Sequence, residues 1–384
     1  VAYSQREPID HEPIHREPIH REPIDEVLRL VLDAVPFRLT VEGGVDEARR
    51  ALRELPRRQL LTELRVEDHR IDGPGGDIPI RVYWPDRNRP LPVTPADPDR
   101  PPPVTPADPD RPLPVTPADP DRQRPVTPAD PDRPPPVTPA DPDRPPPVTV
   151  FFHGGGFALG DLDTHDVTAR QHAVGADTLV VSVDYRLAPE HPFPAAVDDV
   201  WAATRWVAEH AARFGADGSR LAVAGDSAGG TLSAVVAQLC RDENGPELAF
   251  QLLWYPSVMW DTTLASFTEN ADAPVLDNAA IAGFTDWYAG HLDLTDPPAT
   301  LAPGRAADHS GLPPAYIAVA GHDPLRDDGI RYAELLAAAG VQVELHHAAS
   351  LVHGYLGYAG VVPAATEATN RGLAALRAAL HPRP

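Results

Sequence analysis

With 384 residues, 42% of them apolar, the chain is long enough to bury a sizeable core in one large domain or two smaller ones. Its formal charge of −23, from 56 acidic against 33 basic residues, disfavours an unspecific electrostatic grip on nucleic acid or on an anionic membrane. All 33 basic residues are arginine, which excludes a phosphate loop built on its usual lysine, a pyridoxal Schiff base and a Ser-x-x-Lys pair; the single cysteine, Cys240, excludes an internal disulfide and a thiolate metal cage.

The chain opens on a repeat. Arg6 to Asp25 holds four pentapeptides of the form Arg/His-Glu-Pro-Ile-Asp/His, each with a proline that interrupts a helix, so residues 1–25 read as a low-complexity tail. The first thirty residues carry charge every few positions and contain no apolar stretch of signal-peptide length. No later segment approaches the roughly 20 apolar residues of a membrane span, and the expectation is a cytoplasmic protein without membrane insertion. Ile80 to Trp84 is the first strand expected. A second repeat follows from Arg89 to Asp143, five copies of an eleven-residue unit that hold 21 of the 48 prolines. It reads as an exposed polyproline-type loop that lengthens one connection without altering the fold, because loop-closure cost grows only with the logarithm of length.

A broken sixth copy from Arg144 runs into the apolar stretch Val148 to Phe152, the second strand. Further strands are expected at Leu179 to Asp184, Leu221 to Gly225, Phe250 to Trp254, Ala315 to Ala320 and Val341 to His346, with helical spacing between them in Val197, Val200, Trp201, Thr204 and Val207. Short apolar strands alternating with helices imply an α/β fold with a mostly parallel sheet covered on both faces. Reactive groups then belong beyond the carboxyl ends of the strands.

Gly225-Asp226-Ser227-Ala228-Gly229 is the sharpest chemical signal. It follows the strand Leu221 to Ala224 and opens the apolar helix Thr231 to Cys240, the strand, turn and helix setting of a nucleophile elbow. Upstream, His153-Gly154-Gly155-Gly156-Phe157 follows another strand end. Its glycines let backbone amides turn inward, so Gly155 and Gly156, with the amide of Ala228, are candidates to receive an oxyanion. Serine is a poor nucleophile until a base takes its proton, and the chain order serine, acid, histidine offers both partners. Asp323 is the first carboxylate past the strand Ala315 to Ala320, whereas Asp327 and Asp328 read as first-turn helix acids. Of the downstream histidines, His346 and His347 fall in a strand and His381 in the tail; His353 falls in a loop just past a strand end.

Two decoys fail. His11-Glu12-Pro13-Ile14-His15 fits the H-E-x-x-H zinc pattern, but that motif needs a helix and Pro13 interrupts one. A dinucleotide fingerprint starting at Gly154 would need glycine at position 159, which is leucine.

These stretches, together with Leu159-Gly160-Asp161, Asp184 to Glu190, Asp323 to Gly329 and His353-Gly354, resemble the hormone-sensitive-lipase-like family of α/β-hydrolases from Glu26 to the C-terminus apart from the repeat insertion. The resemblance implies an α/β-hydrolase domain over 26–384 with a helical cap from about 26–63 and 255–300. It implies Ser227, Asp323 and His353 as catalytic triad, with Gly155, Gly156 and Ala228 as oxyanion hole. Phe157, Trp260, Phe267, Phe284, Trp287 and Tyr288 are candidates to line the substrate pocket, and Asp184 to Glu190 is given a structural role. The activity implied is hydrolysis of short to medium acyl esters through an acyl-enzyme, on a small-molecule ester and with no metal or organic cofactor. An amidase or carbamate hydrolase on the same triad, and a non-catalytic binding protein on the same fold, are the competing readings. Oligomeric state is open, a homodimer included.

Overall fold

The structure is a computed structural model that describes residues 21–57, 60–85 and 144–382. The eleven-residue repeat, the pentapeptides before Arg21 and the His11 to His15 decoy lie outside the described residues. In chain order the elements are α1 (Glu26–Ala34), α2 (Val45–Glu54), β1 (Val66–Gly73), β2 (Gly76–Tyr83), β3 (Pro147–Phe152), α3 (Asp166–Ala176), β4 (Leu179–Val183), α4 (Ala195–His210), β5 (Asp217–Asp226), α5 (Ala228–Asp242), β6 (Leu248–Trp254), α6 (Ala265–Glu269), α7 (Asn278–Ala289), β7 (Ala315–His322), α8 (Arg326–Ala338), β8 (Val343–Val352) and α9 (Pro363–Leu380).

The strands form one eight-stranded sheet in the order β1-β2-β4-β3-β5-β6-β7-β8. β2 pairs antiparallel with β1 and β4, and every pairing from β4 onward is parallel. Successive side chains in a strand point to opposite faces, and here both faces are covered. Val148, Val150 and Phe152 join one core with Leu221, Val223, Ile317 and Val319. Phe151 joins the other with Ala222, Ala224, Tyr316 and Ala318. That two-sided burial is why the parallel strands read as continuous apolar runs; each large side chain so buried contributes about 1.5–3 kcal/mol. Helices α4, α5 and α8 supply the first core, and α3 and α9 the second.

The strand order places the chemistry. From β3 the chain crosses through α3 to β4 on one side, then through α4 to β5 on the other, so the sheet switches direction at β3. Right-handed crossovers running opposite ways lie on opposite faces, as α3 and α4 do. The crevice at such a switch opens beyond the carboxyl ends of the two diverging strands. Phe152 stands in register with Gly225, which sets the His153 loop and the Ser227 turn side by side.

The sequence missed β1. Its side chains are mostly polar, and Ile71 is the one among its residues that is fully covered, as befits an edge strand. The last strand also runs further than expected, to Val352, so His353 follows it directly and Ser350 to Val352 belong to the strand. Helix α5 begins at Ala228, three residues before its expected start, immediately behind the serine.

Candidate active site

Ser227 sits between β5 and α5 with φ 54° and ψ −119°, a left-handed backbone that a non-glycine residue adopts only when its surroundings hold it there. Its amide donates to the Trp254 carbonyl at 2.8 Å, and its carbonyl accepts from Thr231 at 3.0 Å as α5 begins. The turn works because Gly229 has no side chain: a Cβ there would lie 1.9 Å from the Phe152 carbonyl oxygen. Helix α5, fifteen residues long, starts beside the serine and directs its positive end at that point.

The three residues expected to act together are brought together. His353 Nε2 lies 2.9 Å from Ser227 Oγ, and His353 Nδ1 lies 2.7 Å from Asp323 Oδ2. Both partners are buried, His353 at 2% exposure and Asp323 at 0%. A carboxylate on Nδ1 requires the proton there, which leaves Nε2 as the acceptor facing the hydroxyl. Asp323 is itself held: its Oδ1 accepts from the Leu325 amide at 2.8 Å, and its carbonyl accepts from Asn270 Nδ2 at 3.1 Å. The ring of Tyr255 packs on the imidazole with centroids 4.8 Å apart.

The glycine loop faces the same point. Gly155 has φ +118°, and a Cβ there would meet the Leu159 carbonyl oxygen at 2.3 Å. Among the described residues, none of the amides of Gly155, Gly156 and Ala228 donates to a protein acceptor. The loop is fixed from below: the Gly154 amide donates to Asp226 Oδ1 at 3.0 Å, and Tyr185 Oη donates to the His153 carbonyl at 2.7 Å while its ring stacks on that histidine. Asp226 is buried, and although burial pushes its carboxyl up, His165 nearby holds it below the usual range. Burial pushes His153 down to about 4. The stretch Asp184 to Glu190 ties in through Arg186, bonded to Asp199, and Glu190, bonded to Arg49.

A cavity of about 260 Å³ opens on Ser227. Of the aromatic residues singled out from sequence, Phe157, Trp260, Phe267 and Phe284 stand in its wall. Tyr288 and Trp287 do not: Tyr288 stacks behind Phe157 at 4.0 Å and Trp287 sits edge-on to Phe284 at 5.8 Å. The roof joins two parts of the chain. Arg38 and Val275 form a β-bridge, Leu39 donates to the Val275 carbonyl at 2.7 Å, and Arg38 pairs with Asp277 at 2.8 Å.

Sequence reasoning passed over several supports. Asp226 was in plain view, inside the serine motif, but spacing alone does not show that its side chain turns back to Gly154. Asp327 and Asp328 are first-turn acids of α8 as read, and they also bind the cavity's loops: Asp327 accepts from the Ser266 amide, Asp328 from those of Val258 and Met259. Residues 21–25 belong to the low-complexity tail expected from the sequence. Yet Glu22 offers its carbonyl to His322 Nε2 at 2.8 Å, Asp25 caps α1, and the Asp25 amide donates to the Ser350 carbonyl at 3.0 Å.

The family profile for the alpha/beta hydrolase fold matches residues 149–357. The esterase LipI of Mycobacterium tuberculosis is 58% identical over 358 residues, covering 93% of this chain and 96% of that protein. The carboxylesterase NlhH of the same species is 52% identical over 363 residues, covering 93% and 97%. Among solved structures, an esterase from the archaeon Pyrobaculum calidifontis superposes with a TM-score of 0.70 at 30% identity, over 93% of this chain and 99% of that one. With these likenesses laid over the elbow, the glycine loop and the sheet that carries them, the chain belongs to the hormone-sensitive-lipase-like family of α/β-hydrolases.

Proposed function

We propose that the chain hydrolyses carboxylic esters by nucleophilic catalysis at Ser227. The observation that carries this is the unbroken line from hydroxyl through imidazole to carboxylate, 2.9 Å and 2.7 Å long. His353 takes the Ser227 proton as Oγ attacks the ester carbonyl, and Asp323 fixes the imidazole tautomer and stabilises its charge. The amides of Gly155, Gly156 and Ala228 receive the oxyanion, each such donor typically worth about 10²–10³ in rate. His353 returns the proton to the departing alcohol. Water then cleaves the acyl-enzyme with the histidine acting again as base. Every proton and bond in this cycle is accounted for by these groups and water.

Two further parts of the reading rest on the cavity. Residues 26–63 and 255–300 act as a cap, since Leu39, Leu276 and Phe284 wall the space over Ser227. At about 260 Å³ and with mainly apolar walls, that space suits short to medium acyl groups. Esterases among the chain's relatives support the ester as substrate. Among the described residues no helix is long and apolar enough to cross a membrane.

The test is Ser227→Ala assayed on nitrophenyl esters of increasing acyl length beside a matched anilide. Turnover is expected to fall by roughly 10⁶ with folding intact. Wild-type activity should peak at short chains and be far weaker on the anilide; an anilide cleaved faster than its ester would make the chain an amidase.

A further inference from the structure

The last of the four pentapeptides, Arg21 to Asp25, is built into the fold. Ile24 packs against the core that holds Leu28, Val352 and Tyr355. Asp25 caps α1 and its amide donates to the Ser350 carbonyl, while the Glu22 carbonyl faces His322 Nε2 at 2.8 Å. These contacts fix the segment on the two strand ends that lead into the triad, since His322 precedes Asp323 and Ser350 lies three residues before His353. They also deliver the Arg21 side chain to one place.

Arg21 Nη1 donates to Asn270 Oδ1 at 3.0 Å and to the Glu269 carbonyl at 3.3 Å. Asn270 is buried, and its Nδ2 donates to the Asp323 carbonyl at 3.1 Å. A carboxamide can lie either way round, and a buried one is oriented by which neighbour donates and which accepts. Here a cation on the oxygen side and a carbonyl on the nitrogen side agree on one orientation. Among the described residues Arg21 is the one donor to that oxygen. Without the guanidinium a buried acceptor is left unmet, so the carboxamide turns to find a donor and gives up its bond to Asp323.

We propose, building on the ester-hydrolase reading above, that Arg21 is a positioning residue: through Asn270 it holds the backbone at Asp323, which in turn holds His353. The contacts then run from the tail to the nucleophile through Arg21, Asn270, Asp323, His353 and Ser227, with separations of 3.0, 3.1, 2.7 and 2.9 Å. The charge of Asp323 matters most when His353 has taken the Ser227 proton, that is, in the transition state. Loosening Asp323 therefore lowers kcat and leaves substrate binding alone.

The measurement is kcat and KM for nitrophenyl butyrate, with active sites counted by fluorophosphonate titration so that any unfolded fraction drops out. Arg21→Ala is expected to lower kcat about tenfold and to change KM less than about twofold, since a small misplacement in a catalytic constellation can cost up to about 10². Both Arg21 bonds leave from one nitrogen, so the three-donor ammonium of Arg21→Lys can serve them, and most of the lost kcat should return. In an Asn270→Ala background, Arg21→Ala should cost nothing more, because the route it acts through is already cut. An unchanged kcat in Arg21→Ala, an equal loss in Arg21→Lys, or losses that multiply in the double variant overturns the inference. A segment that merely stabilised the fold would lower the melting temperature and leave kcat per titrated site where it was. Should Asn270→Ala not fold, the Arg21→Ala and Arg21→Lys pair decides alone. An active wild type indifferent to Arg21 brings down this inference only, whereas a wild type inert toward every ester brings down the hydrolase reading as well.

Discussion

At the scale of single residues, the site depends on groups that never touch substrate. Asp226 is a positioning residue: it receives the Gly154 amide and so sets where the next two amides point. Asp226→Ala leaves that buried amide without an acceptor, and the expected result is a fall in kcat of about 10²-fold with KM changed only a few-fold, because the oxyanion forms after substrate binds. Equal losses in kcat and 1/KM would instead mark a general collapse of the pocket. Histidine burial makes a separate prediction about stability. His172 is wholly buried and accepts a hydrogen bond from Trp254 on Nε2 at 3.0 Å, and burial holds it and His153 at about 4 against an ordinary 6.5. Above pH 6.5 both are neutral, folded or unfolded. As the pH falls the unfolded chain takes up protons that the folded chain refuses, so stability declines between about 6.5 and about 4, by up to about 1.4 kcal/mol per pH unit for each histidine. Urea midpoints measured across that window should drop, and the drop should be shallower in His172→Gln; an unchanged slope would contradict the assignment.

At the scale of elements, the elbow requires β3, β5 and α5 to approach more closely than a side chain permits. Gly229→Ala puts a methyl 1.9 Å from the Phe152 oxygen, an overlap that rotamer changes do not relieve because the neighbour is backbone. The variant is expected to lose both activity and several degrees of melting temperature, by differential scanning calorimetry, since overpacking typically costs about 1–3 kcal/mol. The same elements show what was legible in the sequence. The parallel strands declare themselves because both faces are buried, and Ser227, Asp323 and His353 each follow a strand end, where this sheet exposes its chemistry. β1 escaped because an edge strand of this kind buries little and alternates among polar residues. The side-chain clamps from Asp226, Asn270 and Asp328 escaped for another reason: they join segments more than fifty residues apart, and no local pattern encodes such a contact.

At the scale of the whole molecule, the eleven-residue repeat separates two segments that the sheet holds close. Tyr83 at the end of β2 and Thr149 in β3 both stand in register with Val180 of β4 between them. Two strand spacings amount to about 10 Å, a gap that a few extended residues bridge. Deleting Arg89 to Asp143 leaves Asp86 to Asn88 and Arg144 to Pro146 for that task, so the shortened chain is expected to fold with wild-type melting behaviour and to keep its esterase activity; an insoluble or inactive product would give the repeat a structural part in the fold. The pentapeptide Arg21 to Asp25 is expected to behave differently, because it is bound to the strand ends that carry Asp323 and His353. All of these expectations presuppose one reactive hydroxyl. The most direct measurement is mass spectrometry of the protein after treatment with a fluorophosphonate, which reacts with activated serines. A single adduct is expected on the peptide containing Ser227, lost in Ser227→Ala and strongly slowed in His353→Ala; a protein that remains unmodified, or one labelled on a different serine, would contradict Ser227 as the nucleophile.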